Sequence, residues 1–287
     1  MSTIHNEDTA RPFIHEKDGT LSLHFGMDGE VQSIMRVDAP DLLVLGYTKM
    51  MMSFLLFIGR PKHIGIIGLG GGSIPKHCYR YLPDTQISVA EVCPEIIALR
   101  NKFFIPNDEH RFKVFQEDGA EFVKRHRSQL DVLIVDGFDI AGQPEQLCSW
   151  SFYDDCYRAL AREGILVVNL CESFHQTSAR RVRKCFGTRV VAVGVEDSSN
   201  AIVCAAKGNI WWKSDDQLTR NRMHIKQHHA IDLSRTVQKV LGERKSCRPL
   251  QSAKGQETVL SRADAHVSKS IRLVPINEPF SETSDTE

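Results

Sequence analysis

Ile64-Gly65-Ile66-Ile67-Gly68-Leu69-Gly70-Gly71-Gly72-Ser73 is the stretch that decides the fold. Its first half, residues 64–68, is a short apolar run and reads as a strand. Its second half strings glycines together and leads into residues 73–82, which read as a helix. Ser73 can cap that helix, and Pro75 is tolerated in its first turn. Glycines between a strand and a helix let the backbone come close to a ligand, and the helix N-terminus offers free N–H groups. Glycines also make tight turns in any α/β protein, so the run alone is weak. Its surroundings strengthen it. Residues 87–90 read as the next strand, and Glu91 stands at its end, about twenty residues beyond the glycines, where a carboxylate can accept both ribose hydroxyls of a nucleotide.

The alternation continues outward. Residues 94–104 read as a helix opened by Pro94, 111–116 as a strand, 119–127 as a helix and 132–135 as a strand. A helix at 152–160, a strand at 165–170 and a helix at 173–186 follow. Repeated βα units of this length imply a parallel sheet covered on both faces. Residues 190–195 and 201–206 then read as two strands joined by a short polar turn, which can only be antiparallel neighbours. A parallel sheet closed in this way predicts an α/β protein with the Rossmann-like class I S-adenosylmethionine-dependent methyltransferase fold. Upstream, residues 21–25 and 31–35 read as a small N-terminal β-hairpin around Asp28-Gly29, and 41–58 as one buried helix. Downstream, 211–242 reads as polar helix. From Glu243 the chain is charged and Ser/Thr-rich, the composition of a disordered tail. The expected division is an N-terminal hairpin region over 1–45, a nucleotide-binding domain over 46–242 and the tail over 243–287.

Composition narrows the function. The chain has 287 residues, 41% of them hydrophobic, and a formal net charge of zero, which points to no nucleic-acid partner and no anionic membrane. The polar N-terminus lacks the apolar segment of a signal peptide, and the longest apolar run, residues 50–58, is too short to span a bilayer. The expected location is cytoplasmic. The eight cysteines are scattered without a C-x-x-C pair, the pattern of reduced core thiols rather than of disulfides or a zinc site. His224 and His228 lie one helical turn apart, but no acidic or Cys partner stands at a suitable spacing, so they read as a solvated face and no metal is expected. Trp211 and Trp212 read as packing or as a subunit contact.

Two further constellations fall at strand ends, beyond which ligands lie in open α/β sheets. Glu117-Asp118-Gly119 follows the third strand of the series, and a carboxylate there can accept a hydrogen bond from an adenine amino group. Asp136-Gly137-Phe138-Asp139 follows the fourth. Two carboxylates at that rim suit a cationic substrate, whose ammonium they would hold by charge-assisted hydrogen bonds. One could also take the proton that makes an amine nucleophilic.

Taken together, these motifs resemble the spermidine synthase (polyamine aminopropyltransferase) family. Met27-Asp28-Gly29-Glu30-Val31-Gln32 is similar to the family's LDG-x-x-Q hairpin, and Tyr47 falls where the family has the tyrosine before its first long helix. Residues 67–73, Glu91, Asp118 and 136–139 fall in order on its glycine loop, ribose acid, adenine-side Asp and D-x-x-D loop. Phe152-Tyr153 resembles the aromatic pair after that loop. The resemblance runs from about residue 21 to residue 207. It implies transfer of an aminopropyl group from decarboxylated S-adenosylmethionine to a small polyamine-type amine, with no metal and a homodimer. By carry-over Asp136 is the base or amine anchor, assisted by Asp139 and Tyr47. Gln32, Gly68, Gly70, Gly71, Gly72, Glu91, Asp118 and Gly119 would bind the nucleotide.

The departures are specific. The family's loop is usually G-G-G-D-G, and its Asp grips the aminopropyl ammonium; Gly71 occupies that position here. Losing a charge-assisted hydrogen bond costs about 1.5–3 kcal/mol. The same loss removes a repulsion against the carboxylate of intact S-adenosylmethionine. Ile140 replaces a common proline, and no Pro-Thr-Tyr gate lies between Cys171 and Val190. A methyltransferase using intact S-adenosylmethionine and a non-catalytic nucleotide-binding partner protein therefore stand as alternatives.

Overall fold

A computed structural model describes residues 11–25, 31–138, 142–170, 175–196 and 198–247. Its centre is a seven-stranded sheet built from β4 (His63–Ile67), β5 (Gln86–Glu91), β6 (Phe112–Gln116), β7 (Leu130–Val135), β8 (Leu160–Leu170), β9 (Val190–Gly194) and β10 (Ala201–Ala206). The spatial order is β6-β5-β4-β7-β8-β10-β9. The pairs from β6 to β8 are parallel, and β10 runs antiparallel between β8 and β9. The chain thus departs from β4 in both directions, to β5 on one side and β7 on the other. That reversal opens a crevice at the carboxyl ends of the strands. The expected class I fold, with its antiparallel closing strands, is the observed one.

Residues alternate between the two sheet faces. Ile64, Ile66, Val132, Ile134, Val167 and Ile202 share one core with Phe54 and Leu56, with Ile74 and Cys78 of α2 (Ser73–Tyr81), and with Leu218 and Val240. Leu133, Val135, Val168 and Val203 share the other with Phe122 of α4 (Gly119–Arg125), Phe152 and Cys156 of α5 (Trp150–Ala159), and Val182 of α6 (His175–Phe186). Both faces are covered, which is why the central strands read as unbroken apolar runs rather than as alternations.

Several elements differ from the sequence-based expectation. The N-terminal region holds a third strand: β1 (Pro12–Lys17) joins β2 (Thr20–Phe25) and β3 (Val31–Arg36). Asp18 and Gly19 turn β1 into β2 with φ of 49° and 71°, the left-handed pair that tight hairpins need. The Asp28-Gly29 turn lies outside the described residues. The helix expected over 41–58 is a short α1 (Gly46–Met51) running into a 3-10 turn (Met52–Leu56). Every residue of that turn is buried, so packing rather than helical periodicity sets its backbone. The helix expected over 94–104 ends early, as α3 (Pro94–Ala98). The chain then turns inward and carries Phe103 and Ile105 into the core against the glycine loop. The polar C-terminal stretch divides into α7 (Asp215–His229) and α8 (Ser234–Cys247), and α8 runs past Gly242. Trp211 is buried and stacks on Phe57, ring centroids 5.5 Å apart, while Trp212 is exposed.

Candidate active site

The glycine loop, Glu91, Asp118 with Gly119, and Asp136 lie at the carboxyl ends of β4, β5, β6 and β7, where the sheet reverses. Gly68 leaves β4 with φ of 93° and donates its N–H to Ala90 at 2.9 Å. A Cβ on Gly68 would collide with the carbonyl of Asp136, so only glycine lets the β4 and β7 ends lie this close. Gly70 faces open space. Gly72, with φ of 69°, is the N-cap of α2 and makes no side-chain cap bond. The expectation that Ser73 caps the helix is thereby corrected. Ser73 is already helical, and its hydroxyl hydrogen-bonds the Ser33 hydroxyl at 3.2 Å. Gly71 is closed from above, since a Cβ there would sit 2.6 Å from Ser33 Oγ and 3.0 Å from the Phe103 ring.

Glu91 ends β5 with a buried carboxylate. Its Oε2 accepts the Leu69 N–H at 2.8 Å and its Oε1 the Cys93 N–H at 2.9 Å. The acid therefore ties the glycine loop to the neighbouring strand and still stands at the rim. Val92 beside it is 65% exposed, an apolar surface next to the Glu91 carboxylate.

Asp118 is the N-cap of α4. Its Oδ1 accepts from the Ala120 and Glu121 N–H groups at 2.8 and 3.2 Å, and its Oδ2 accepts from Gln146 Nε2 at 2.6 Å. A Cβ on Gly119 would meet Ile67 Cγ2 at 2.5 Å, so Gly119 lets α4 start hard against the end of β4. Leu147 packs over Gly119 and Gly137, which links the Asp118 corner to the loop that carries Asp136.

Asp136 follows β7 directly. Burial pushes its carboxyl up to about 6, and hydrogen bonds from Asn169 and Tyr47 pull it the other way. Asn169 Nδ2 donates to Oδ1 at 2.9 Å. The Tyr47 phenol, raised well above its usual range by burial and then by Asp136, faces the same carboxylate and lies 3.3 Å from the Gln32 carbonyl, so its one proton is shared between the two acceptors. Through that bond to the Gln32 backbone α1 is fastened to β3. Asp139 and Ile140 lie outside the described residues. A carboxylate with this setting is ionised for part of the near-neutral range and can accept a proton from an ammonium group. Asn169 was missed in the sequence, although one polar residue inside the apolar run 165–170 was the available signal.

A glycine loop bound by an acid from the adjacent strand, at the reversal of a sheet closed by one antiparallel strand, defines the class I S-adenosyl nucleotide-dependent transferase fold. Solved structures that share it include the following two. One is a spermidine synthase in complex with the transition-state analogue AdoDATO, at TM-score 0.54 and 22% identity, covering 81% of this chain and 88% of that one. The other is human methyltransferase-like protein 13 in complex with SAH, at TM-score 0.55 and 17% identity, covering 74% and 97%. Sequence likeness is narrower. The spermine/spermidine synthase domain profile matches residues 44–192. A polyamine aminopropyltransferase of Neisseria meningitidis serogroup A is 36% identical over 228 residues, 78% of this chain and 86% of that protein. The chain belongs to the spermine/spermidine synthase family and is a transferase.

Proposed function

We propose that the protein transfers an aminopropyl group from decarboxylated S-adenosylmethionine to a small putrescine-like amine. The observation that carries this reading is the half-buried Asp136 carboxyl facing Tyr47 beside the glycine loop and Glu91. The donor's sulfonium makes the adjacent aminopropyl carbon electrophilic. Asp136 accepts a proton from the attacking ammonium, and the freed nitrogen lone pair forms the new N–C bond. The old C–S bond breaks with its electron pair going to sulfur, so methylthioadenosine leaves as a neutral thioether. Alignment of the two reactants supplies most of the acceleration. In this reading Glu91 accepts the ribose hydroxyls, Asp118 and Gln146 face the adenine, Gln32 meets the donor's tail, and Asp139 assists with the amine. No step calls for a metal. The family likeness extends the reading to a homodimeric, cytoplasmic enzyme, which light scattering on the purified protein and cell fractionation test.

A second reading is favoured by Gly71. The space of the family's carboxylate is filled by Ser33 and Phe103, so no negative charge at that place repels intact S-adenosylmethionine, and the same site would then carry out methyl transfer. One experiment separates the two. The protein is incubated with putrescine and either donor, and products are resolved by mass spectrometry. Methylthioadenosine with an aminopropylated amine supports the first reading. S-adenosylhomocysteine with a methylated amine replaces it with the second, and turnover of neither donor removes both.

A further inference from the structure

Three polar side chains lie in a row on a sheet face that is otherwise apolar. The face that carries Ile134, Val167 and Ile202 also carries Asp136 just after β7, Asn169 within β8 and Asn200 just before β10, because side chains alternate along extended chain. Register brings them side by side: Val135 pairs with Val168, and Asn169 with Ile202. Asn169 is 2% exposed. Its Nδ2 donates to Asp136 Oδ1 at 2.9 Å, and its Oδ1 accepts from Asn200 Nδ2 at 3.0 Å.

The order of these bonds matters. An amide has a donor end and an acceptor end. The Asn200 amino group holds the Asn169 oxygen on its own side, which turns the Asn169 amino group toward the carboxylate. A reversed Asn169 would set its oxygen against Asp136, acceptor against acceptor. From this geometry we infer that Asn169 and Asn200 are positioning residues that act through Asp136, fixing the plane of its carboxylate and keeping it ionised near neutral pH.

The physical need is plain. Asp136 is half-buried, and loss of solvent around a carboxyl favours the uncharged acid. Among the described residues, the groups that face its carboxylate are the Tyr47 hydroxyl from α1 and the Asn169 amide from β8, and Tyr47 is the titratable one. No cation is among them, and the hydrogen bonds that they offer favour the ionised form. Asn169 supplies one of these, and Asn200 keeps it aimed. The relay deepens the aminopropyl-transfer reading only in what Asp136 is ionised for; the hydrogen-bonded row does not depend on that reaction.

The test follows the Asp136 carboxyl by carbon-13 NMR of aspartate-labelled protein, assigned by its loss in Asp136→Asn, together with the pH profile of kcat/KM. Asn169→Ala is expected to move the titration up by about one unit, and the acid limb of kcat/KM with it. Asn200→Ala is expected to move both in the same direction by less. Asn200 is only partly buried, so it decides the matter if Asn169→Ala fails to fold. A titration unmoved in folded Asn200→Ala, with an unmoved acid limb, overturns the relay. A titration that moves in a protein without aminopropyl transfer supports the relay and removes only the reading of Asp136 as that reaction's base.

Discussion

Asp136 and Gly71 show two ways in which one residue position is governed by its neighbours. The Asp136 carboxyl, held near 6 by burial against the hydrogen bonds it accepts, must be ionised to take a proton. Its activity is therefore expected to rise as pH increases through about 6 and to level above it. Asp136→Asn keeps the shape and removes the basicity, so turnover should fall about 10²- to 10⁴-fold while donor affinity, read by calorimetry, stays within a few-fold. Turnover unchanged in the Asn variant would take Asp136 out of the chemistry. At Gly71 the obstacle is space. Gly71→Asp would press on Ser33 and Phe103 and should cost about 1–3 kcal/mol in chemical denaturation, the usual range for overpacking. Ser33→Gly in the same chain should recover part of that loss. A Gly71→Asp variant as stable as the parent would show that the loop yields freely.

At the scale of elements, helix entry separates the two helices that frame the crevice. Asp118 caps α4 through two N–H bonds, so Asp118→Ala should lower stability by about 1 kcal/mol and weaken nucleotide binding in the same protein. Ser73 offers no such cap, because Gly72 takes that position in a left-handed conformation. Ser73→Ala should therefore affect only the Ser33 contact, and a melting temperature that falls as far as in Asp118→Ala would contradict this assignment. Both helices follow a strand and open on a residue of good capping type. Sequence placed each helix start within a residue; it did not tell which start used its side chain. That choice depends on the chain crossing above the loop, Ser33 of β3, which is forty positions away.

For the whole molecule, one buried histidine, His77, and two half-buried ones, His63 and His229, set a limit at acid pH. His77 of α2 and His229 of α7 are hydrogen-bonded at 3.1 Å between Nε2 and Nδ1, which fastens α7 to the helix that follows the glycine loop. Burial pushes both down to about 4, and His63 likewise, with further depression of His229 by His77 and of His63 by His126. A histidine whose pKa is lower in the folded state than in the unfolded chain opposes folding once the unfolded form begins to bind protons. Stability contributed by the neutral rings is thus present above about 6.5 and is lost as pH falls from there toward 4. Thermal melts should show a falling transition temperature across that window. His229→Gln should flatten the decline, and an equal slope in the variant would place the acid sensitivity elsewhere.

The sequence by itself determined the features that depend on neighbours along the chain. The alternation of apolar strands and helices, the glycine run between β4 and α2, and the carboxylates Glu91, Asp118 and Asp136 at successive strand ends are local patterns, set by backbone sterics and by period. The tertiary structure decided the rest. It found β1, whose pairing depends on the left-handed Asp18-Gly19 turn, and it shortened the helices near residues 41–58 and 94–104, where burial outweighs periodicity. It also brought Asn169 and Asn200 into line with Asp136 and set Ser33 over Gly71. These contacts join residues some thirty to forty positions apart. They exist only because sheet register and the crossing of β3 over the glycine loop bring those residues together, which no spacing along the chain encodes.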